Sequence, residues 1–253
     1  MSRFAGKKAV VTGGTHGMGL AIVEALLDGG AEVVLTGRDE KRIEEARTAL
    51  APRAAHVVRS DAASMADIRR LADAVQERLG RVDYLFVNHG FAEVQTLEEV
   101  TEESWDRHFD VNAKGAFFTV QSLSPLIEDE GAIVFTTVAN DLIFPGLSAY
   151  SGAKEAVRAF AQVLAAELLP RRIRVNSVAP GYIKTPSMGM PGLTEEQRRE
   201  FEEQGSRATP LRRNGTVAEV AAAALFLAAD ATFSTNVELP VDGGFAQGLG
   251  SGH

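Results

Sequence analysis

The sequence predicts a doubly wound α/β fold, with a parallel sheet of about seven strands and helices on both of its faces. Two observations support this prediction. Short runs of β-branched and other apolar residues alternate with amphipathic helical patterns along the whole chain, which is the order of βαβ units. A glycine cluster also separates the first strand from the first helix. Because the 253-residue chain contains no linker-like, repeated or low-complexity segment, we expect one domain over residues 1–253.

The first half contains four strand patterns separated by three helical patterns. The strands are predicted at 7–12, 32–36, 56–59 and 82–87, and the helices at 20–27, 39–50 and 64–79. Each strand is a short, mostly apolar run of the kind that is buried on both faces of a parallel sheet. The first helix stops at Gly29 and Gly30, and the second is charged and amphipathic, as expected for a helix that covers a sheet.

The second half continues the alternation. Helices are predicted at 101–112, 113–127, 150–169, 194–204 and 216–229, and strands at 132–137, 173–178 and 237–241. Pro170 ends the long helix that begins at Tyr150, since proline cannot continue it, and Thr216 caps the alanine-rich helix. Right-handed crossovers through these helices would keep the strands parallel.

Composition excludes several kinds of function. The net charge of −8 argues against nucleic acid or an anionic membrane surface as the main partner. The absence of cysteine excludes disulfides, thiolate catalysis and cysteine zinc sites, and no metal site is predicted. The N-terminal residues do not form a signal-peptide core, and the apolar run at 220–229 is well short of the ~18 residues that a spanning helix needs. We therefore expect a soluble, cytoplasmic protein.

The glycine cluster, Thr12-Gly13-Gly14-Thr15-His16-Gly17-Met18-Gly19, lies between the first strand and the first helix. Glycines permit a tight turn and let a pyrophosphate approach the backbone amides at a helix N-terminus, where the helix dipole favours anions. The G-x-x-x-G-x-G spacing differs from the commoner dinucleotide fingerprint, and a plain glycine-rich turn is the alternative. The position between a strand and a helix favours a dinucleotide.

The end of the second strand indicates which dinucleotide is bound. An acidic residue there would bind the ribose 2′-hydroxyl of NAD, whereas an arginine accommodates the 2′-phosphate of NADP. Here Gly37 occupies the strand end and Arg38 follows it, so a planar guanidinium is available for a phosphate. His16 would help if it were protonated, and a neutral loop histidine is the alternative. The cofactor predicted is NADP(H).

Tyr150 and Lys154 lie four residues apart in the long helical pattern, so both side chains project from one face of the helix. An ammonium held close to a phenol favours the phenolate, so Lys154 is expected to lower the pKa of Tyr150 from its usual value near ~10. Tyr150 is then a candidate proton donor or acceptor at neutral pH. An isolated Tyr-x-x-x-Lys pattern is weak, because chance places such a pair on many helix surfaces.

The order and spacing of these residues resemble those of the short-chain dehydrogenase/reductase family. The residues that carry the resemblance are Thr12–Gly19, Asp61, Asn88-His89-Gly90, Asn112, Thr137, Tyr150–Lys154, Asn176 and Pro180-Gly181. The resemblance extends from the first strand to Asp242-Gly243-Gly244. Within the family the chain looks most like compact NADP-dependent ketone reductases and alcohol dehydrogenases, close to proteins named 3-oxoacyl-carrier-protein reductase or glucose 1-dehydrogenase. The resemblance implies a single NADP-binding Rossmann domain.

The resemblance also implies a catalytic set of Asn112, Thr137, Tyr150 and Lys154. Tyr150 would protonate the carbonyl oxygen, or act as the base in alcohol oxidation, and Lys154 would lower its pKa and bind the nicotinamide ribose. Asn112 would hold a water that links Lys154 to solvent; the alternative is a structural asparagine that interrupts a helix. Asp61 would contact the adenine or simply form a turn. The residues implied to bind NADP(H) are Gly13, Thr15, His16, Gly17, Met18, Gly19, Arg38, Asp61, Ala62, Asn88, Gly90, Tyr150, Lys154, Pro180, Gly181, Ile183 and Thr185.

Three positions depart from the family's pattern. The substrate-polarising residue, thirteen positions before Tyr150, is usually serine but is Thr137 here. A threonine hydroxyl can donate the same hydrogen bond, although its methyl group stiffens χ1; an ordinary strand residue is the alternative. His89 stands where the family has alanine, either as a second acid/base or as a packed or solvent-facing histidine. Asn140-Asp141 replaces a glycine-containing loop, and would either make the substrate pocket polar or form a turn.

Together these residues predict an NADP(H)-dependent oxidoreductase that transfers hydride between nicotinamide and a ketone or secondary alcohol. Substrate contacts are predicted at Thr137, Ala139, Asn140, Tyr150, Tyr182 and Met188. Segment 184–213 is predicted to be a lid over an apolar pocket, and the family implies a homotetramer or a homodimer. Two alternatives stay open. One is a 3-oxoacyl thioester reductase. Its acidic carrier protein would need a basic patch, and only Arg207, Arg212 and Arg213 are available near the predicted lid. The other is a nucleotide-sensing protein that binds the cofactor without turnover.

Overall fold

The computed structural model describes residues 2–139, 144–185, 194–247 and 249, and it shows the predicted doubly wound fold. Seven parallel strands form one sheet: β1 (Lys8–Thr12), β2 (Glu32–Gly37), β3 (Ala55–Arg59), β4 (Val82–Val87), β5 (Ile127–Thr136), β6 (Arg174–Pro180) and β9 (Glu238–Val241). Their order in the sheet is β3-β2-β1-β4-β5-β6-β9. A separate parallel pair, which the sequence did not predict, joins β7 (Ile183–Lys184) to β8 (Gly215–Thr216).

Helices connect the strands and cover the sheet. They are α1 (Gly17–Asp28), α2 (Glu40–Leu50), α3 (Met65–Arg78), α4 (Glu102–Phe109), α5 (Gly115–Leu123), α6 (Ser148–Glu167), α7 (Glu195–Ala208) and α8 (Val217–Leu225). Each corresponds to a predicted helix. Thr216 caps α8, as predicted, because its side chain accepts a hydrogen bond from the Glu219 amide at 3.2 Å.

Strand β5 begins five residues earlier than predicted, and the helix before it ends earlier. A 3₁₀ turn at Ser124–Leu126 leads directly from α5 into the strand. The three acidic residues after Ile127 are exposed, which is why this segment lacks a strand pattern. The β4–β5 register also shifts here, and Glu130 has a φ of 68°, so the first part of β5 is a bulge at the end of the sheet.

Alternate residues of the central strands face opposite layers, and two hydrophobic clusters result. In β1, Ala9 and Val11 belong to the cluster that includes residues of α1 and α8. Val10 belongs to the cluster that includes residues of α3, α5 and α6. All three are fully buried. The near-continuous apolar runs that predicted the strands are therefore explained by burial on both faces of the sheet.

The strand order reverses between β1 and β4, which are neighbours in the sheet although β2 and β3 separate them in the chain. In a doubly wound sheet this reversal opens a crevice at the carboxyl ends of the strands, where ligands bind. The glycine cluster after β1 and the segment after β4 meet at this crevice, so the fold brings together motifs about 75 residues apart.

Several large apolar side chains are exposed on the outer helices. Among them are Trp105 of α4, Val163 of α6 and Phe226, which follows α8. Within the described ranges, no helix is both long enough and apolar enough to cross a membrane. Exposed apolar residues on helices are a feature of subunit interfaces. The homotetramer or homodimer and the cytoplasmic location stay predictions.

Candidate active site

A cavity of about 520 Å³ lies at the carboxyl ends of β1, β4, β5 and β6. It brings together most of the residues predicted from the sequence. Those that line it are Gly13, Thr15, His16, Gly17, Met18, Arg38, Ala62, Asn88, Gly90, Thr137, Ala139, Tyr150, Lys154, Pro180, Gly181, Tyr182, Ile183 and Thr185. Gly19, Asp61 and Asn112 do not line it. The predicted substrate contacts Asn140 and Met188, together with Asp141, lie outside the described residues.

The glycine cluster forms a tight loop between β1 and α1. Gly13 and Gly17 have φ values of 63° and 57°, in the left-handed region that favours glycine. Asn88 Nδ2 donates to the Gly13 carbonyl at 3.3 Å, which ties the loop to the end of β4. At the N-terminus of α1, the N-cap residue His16 makes no side-chain capping bond. The first amides of α1 are therefore suited to an anion.

Gly19→Ala is expected to lower the free energy of unfolding by ~1–3 kcal/mol and to weaken dinucleotide binding. A Cβ at Gly19 would overlap the carbonyl oxygen of Gly13 and the side chain of Asn88, and the backbone contact cannot be relieved by a rotamer change. Thermal unfolding with and without NADPH measures both effects. Gly152→Ala is the matched control, because a Cβ there would lie 3.6 Å from Phe109, an ordinary contact. Equal losses of stability and of NADPH binding in the two variants would contradict the prediction.

Three buried side-chain atoms around the cavity have no hydrogen-bond partner of normal geometry among the described residues: His16 Nδ1, His89 Nε2 and Thr185 Oγ1. Buried polar groups are nearly always paired, so unpaired atoms at a cavity indicate positions for the polar groups of a ligand. Together with the glycine loop, they fit a dinucleotide cofactor. Among the residues that the structure describes, no group of three or more histidine and acidic side chains could hold a metal ion.

Basic side chains line the cavity near the end of β2. Arg38 and Arg42 both contribute to the lining, and neither forms an ion pair with any described residue. Burial lowers the pKa of His16, and the charge of Arg42 lowers it further. The ring is therefore neutral at pH 7, which agrees with the neutral loop histidine that the sequence left as the alternative. Asp39 also lines the cavity, but its carboxylate caps α2 by accepting from the Arg42 amide at 2.9 Å. The arrangement offers two guanidinium groups to an anion.

Tyr150 and Lys154 lie in the first two turns of α6. Lys154 is buried, and its Nζ donates to the Thr136 carbonyl at 2.8 Å. Burial raises the pKa of Tyr150 to about 12 and lowers that of Lys154 to about 8. The expectation that Lys154 lowers the pKa of Tyr150 is therefore wrong for the protein alone, because burial dominates and the ammonium bonds to the β5 backbone. Tyr150 keeps its proton at neutral pH, which suits a proton donor.

Asn112 lies in a π-helical turn, Asp110–Lys114, that separates α4 from α5. Its Oδ1 accepts from the Phe91 amide at 3.0 Å, and its Nδ2 donates to the carbonyls of Phe91 and His108 at 2.8 and 2.9 Å. The structural alternative, an asparagine that interrupts a helix, is thus confirmed. A Cβ at Gly90 would be 3.2 Å from Asn112 Oδ1 and 3.5 Å from Lys154 Nζ, so Asn112 stands next to the site. The water that it would hold stays a prediction.

Thr137 follows β5 directly and is buried. Its hydroxyl oxygen lies 2.7 Å from Glu238 Oε1 and 3.0 Å from the Val178 carbonyl oxygen. Both partners are acceptors, and a hydroxyl has one proton to donate. The predicted hydrogen bond from this hydroxyl to a substrate carbonyl stays a prediction. The contact of Thr137 with Glu238 of β9 is one that motif spacing cannot reveal.

His89 is packed against the glycine loop. Its Nδ1 lies 2.8 Å from Thr12 Oγ1, within hydrogen-bond distance. Burial lowers the pKa of His89 to about 3, the charge of Lys154 acts in the same direction, and the Val111 backbone opposes both. A ring that stays neutral down to acid pH cannot serve as a second proton donor near pH 7. The packed histidine is the correct alternative.

Asp61 forms the turn after β3. Its Oδ1 accepts from the Ala63 amide at 3.0 Å, and its own amide donates to the buried Asp67 carboxylate at 3.0 Å. The turn-forming alternative is therefore confirmed, and its contact with an adenine stays a prediction. Its neighbour Ala62 does line the cavity.

Another part of the lining is apolar and aromatic, and the sequence identified almost none of it. The residues are Phe91, Ala92, Val94, Phe144, Leu147, Phe201 and Phe245. Tyr182, a predicted substrate contact, packs against Phe201 and Phe245 with ring centroids 5.4 and 5.1 Å apart. Phe201 belongs to α7, within the predicted lid 184–213, of which 186–193 lie outside the described residues. The wall comes from four distant segments, so no local pattern could predict it.

Known proteins share this chain's sequence and fold over nearly its whole length. A family model described as enoyl-(acyl carrier protein) reductase matches residues 13–246. The NADP-dependent (R)-specific alcohol dehydrogenase of Lentilactobacillus kefiri is 33% identical over 252 residues, which cover 96% of this chain and 98% of that protein. The L-fucose dehydrogenase of Oryctolagus cuniculus is 35% identical over 254 residues, covering 98% and 88%. A solved short-chain dehydrogenase/reductase from Serratia marcescens, 29% identical, superimposes with a TM-score of 0.87 and covers 96% of this chain and 99% of that one.

Proposed function

The chain belongs to the short-chain dehydrogenase/reductase family of oxidoreductases, and we propose that it uses NADP(H) to interconvert an apolar ketone and its secondary alcohol. The observation that carries the proposal is a single cavity lined by Tyr150, Lys154 and a glycine loop at a helix N-terminus. A bound nicotinamide would supply or accept the hydride. Tyr150 would give a proton to the carbonyl oxygen or take one from the alcohol, and the cavity walls would orient the substrate.

The choice of NADP over NAD is supported by charge. Arg38 and Arg42 line the cavity near the end of β2 without an ion-pair partner in the described part of the chain. A guanidinium fork matches a phosphate better than a ribose hydroxyl. At the end of β2, Gly37 supplies no carboxylate that could bind the NAD ribose. One similar protein, the Lentilactobacillus enzyme, is also named as NADP-dependent.

The apolar wall supports a hydrophobic substrate. Aromatic rings such as Phe91, Phe201 and Phe245 would bury an aryl or alkyl group, whereas a sugar would leave its hydroxyls unpaired against them. The apolar wall therefore fits an alcohol or ketone, the substrate class in the name of the alcohol dehydrogenase relative, better than it fits the sugar in the name of the fucose dehydrogenase.

A substrate panel tests the proposal directly. NADPH consumption is measured with acetone, 2-octanone, acetophenone and acetoacetyl-coenzyme A, and NADP⁺ reduction with fucose and galactose. We expect kcat/KM to rise at least tenfold from acetone to the larger ketones, because each added methylene in an apolar pocket contributes ~1 kcal/mol or more and two of them already exceed a factor of ten. Faster turnover of a sugar than of any ketone would contradict the substrate class. NADPH binding without turnover of any compound would indicate a nucleotide sensor instead.

The thioester reductase is the second candidate, and the paired charges near α7 count against it. Arg207 lies 3.7 Å from Glu203, and Arg213 lies 2.6 Å from Glu219. Two of the three arginines available for an acidic carrier are thus compensated by carboxylates within the chain. Acetoacetyl-coenzyme A turnover that exceeds that of acetophenone would nevertheless support the thioester reductase.

A further inference from the structure

His89 places a polar ring next to the glycine loop, in the cavity that also holds Lys154. It follows the end of β4 and lines the cavity. A Cβ at Gly13 would lie 2.9 Å from His89 Cα, so the glycine loop packs directly on the backbone of this residue. The charge of Lys154 is near enough to lower the pKa of the His89 ring. His89 therefore lies beside the part of the cavity that is bounded by both the loop and Lys154.

The Thr12 hydroxyl determines which nitrogen of this ring carries the proton. The backbone amides of Asn88 and His89 donate to Thr12 Oγ1 at 3.0 and 3.4 Å. A hydroxyl oxygen has two lone pairs, so both are already used and the hydroxyl can only donate to the ring. Its nearest acceptor is His89 Nδ1 at 2.8 Å, whereas the Phe86 carbonyl oxygen is 3.3 Å away. Nδ1 therefore accepts, and the single proton of the neutral ring is on Nε2.

The Nε2–H group of His89 is a buried donor that lacks an acceptor. In the part of the chain that the structure describes, no group makes a hydrogen bond of normal geometry with Nε2. The Val111 backbone is near enough to oppose the fall in the pKa of the ring, but its geometry is not that of a hydrogen bond. Buried donors are nearly always paired, because an unpaired one is costly. A ligand in the cavity is therefore expected to supply the acceptor.

The chemistry of this donor restricts the group that it can bind. Burial and the charge of Lys154 lower the pKa of His89 to about 3, so the ring is uncharged at pH 7. It offers one hydrogen bond from a fixed position, and its partner must have a free lone pair. The ribose hydroxyls and the pyrophosphate of a dinucleotide carry such oxygens, and the glycine loop packed on His89 is suited to the pyrophosphate. An oxygen of this part of the dinucleotide fits the donor.

We propose that His89, in the tautomer that Thr12 fixes, is a further dinucleotide-binding residue that donates from Nε2 to an oxygen of the ribose–pyrophosphate part of the cofactor. The inference rests on the proposed binding of NADP(H), and it does not depend on the identity of the substrate. In the sheet, β1 lies between β4 and β2, so about 10 Å separates the strand that leads to His89 from the one that leads to Arg38. The bond should therefore serve NADPH and NADH equally.

Two amide variants separate this role from simple packing against Thr12. In His89→Gln the amide nitrogen can take the place of Nε2, whereas in His89→Asn the shorter amide reaches only the place of Nδ1. We expect the Kd values of NADPH and NADH, titrated without substrate, to stay within about threefold of the wild type in His89→Gln. Both should rise about tenfold or more in His89→Asn, which lacks the bond to the ligand. Equal Kd values in the two variants, or weaker binding by His89→Gln, would overturn the proposal.

Long-range ¹H–¹⁵N correlation spectra of the histidine rings test the tautomer in the wild-type protein, so the result does not depend on the folding of a variant. We expect His89 to show a protonated Nε2 and an unprotonated Nδ1, and its Nε2–H resonance to shift when NADPH saturates the site. A protonated Nδ1, or an Nε2–H resonance that NADPH leaves unchanged, would refute the inference alone. Failure of the wild type to bind NADPH in the preceding titration would refute the proposed function as well.

Discussion

Tyr150→Phe is expected to lower kcat for ketone reduction by about 10²–10⁴-fold while leaving NADPH affinity close to that of the wild type. The substitution removes one hydroxyl and keeps the ring, so packing in the first turns of α6 is preserved. Burial raises the pKa of Tyr150 to about 12, and the group is therefore protonated throughout the neutral range. Its removal takes away the proton that the carbonyl oxygen must receive. Steady-state kinetics with acetophenone and an NADPH titration measure the two quantities.

The control for this prediction is Tyr84→Phe. Tyr84 lies in β4 among the buried rings of Phe4 and Phe86, and it does not line the cavity. The same chemical change there should leave kcat within about twofold, because no proton transfer involves that hydroxyl. If Tyr150→Phe retains more than a few per cent of wild-type kcat, another group supplies the proton.

The direction of the pKa shift of Tyr150 also predicts a pH dependence. Ketone reduction uses the protonated phenol, so with a pKa of about 12 in the free enzyme it should not decline through loss of this proton between pH 6 and pH 9. Alcohol oxidation uses the phenolate, whose population rises tenfold per pH unit below the pKa, so its kcat/KM should increase with pH across the same range. A profile in which oxidation is flat and reduction falls would place the pKa of the catalytic group well below neutrality.

The fold was predictable because its signals are local. Runs such as Val82–Val87 are buried on both faces, and burial leaves an apolar run in the sequence that needs no knowledge of its neighbours. The prediction failed where the structure depends on partners. The start of β5 is acidic and exposed, and it is a strand only because β4 pairs with it through a bulge. Strands β7 and β8 likewise have only two residues each, too few to show the alternation of apolar and polar residues that marks a strand in the sequence.

The site was predictable where spacing along one element sets the geometry. Tyr150 and Lys154 share a helix face, and the glycine loop joins consecutive elements. Contacts between distant segments were not predictable: Glu238 meets Thr137 from the far end of the chain. The pKa of Tyr150 was expected in the wrong direction for a related reason. Sequence spacing indicated a nearby charge, but the burial that outweighs it depends on the whole fold.

Arg38→Asp is expected to reduce the preference for NADPH over NADH, expressed as a ratio of kcat/KM values, by about 10²–10³-fold. The loss of a charge-assisted hydrogen bond to the 2′-phosphate removes ~1.5–3 kcal/mol. The new carboxylate repels the phosphate and can accept hydrogen bonds from the ribose hydroxyls of NADH, which moves the ratio further in the same direction. A difference of 1.4 kcal/mol corresponds to a factor of ten, so both contributions together account for the expected range.

Lys41→Asp is the matched control, because it changes the net charge by the same amount at an exposed position only three residues further along the chain, in the first turn of α2. Lys41 lies outside the cavity lining and stands 3.9 Å from Glu45, so its effect on the cofactor acts only through solvent. We expect its NADPH preference to stay within about threefold of the wild type. Equal changes in the two variants would mean that the general field of the protein, rather than the Arg38 guanidinium, selects the cofactor. If neither variant changes the preference for NADPH, Arg38 does not bind the 2′-phosphate. Arg42, the other guanidinium at this end of the cavity, would then be its partner, and Arg42→Asp would show the loss predicted for Arg38.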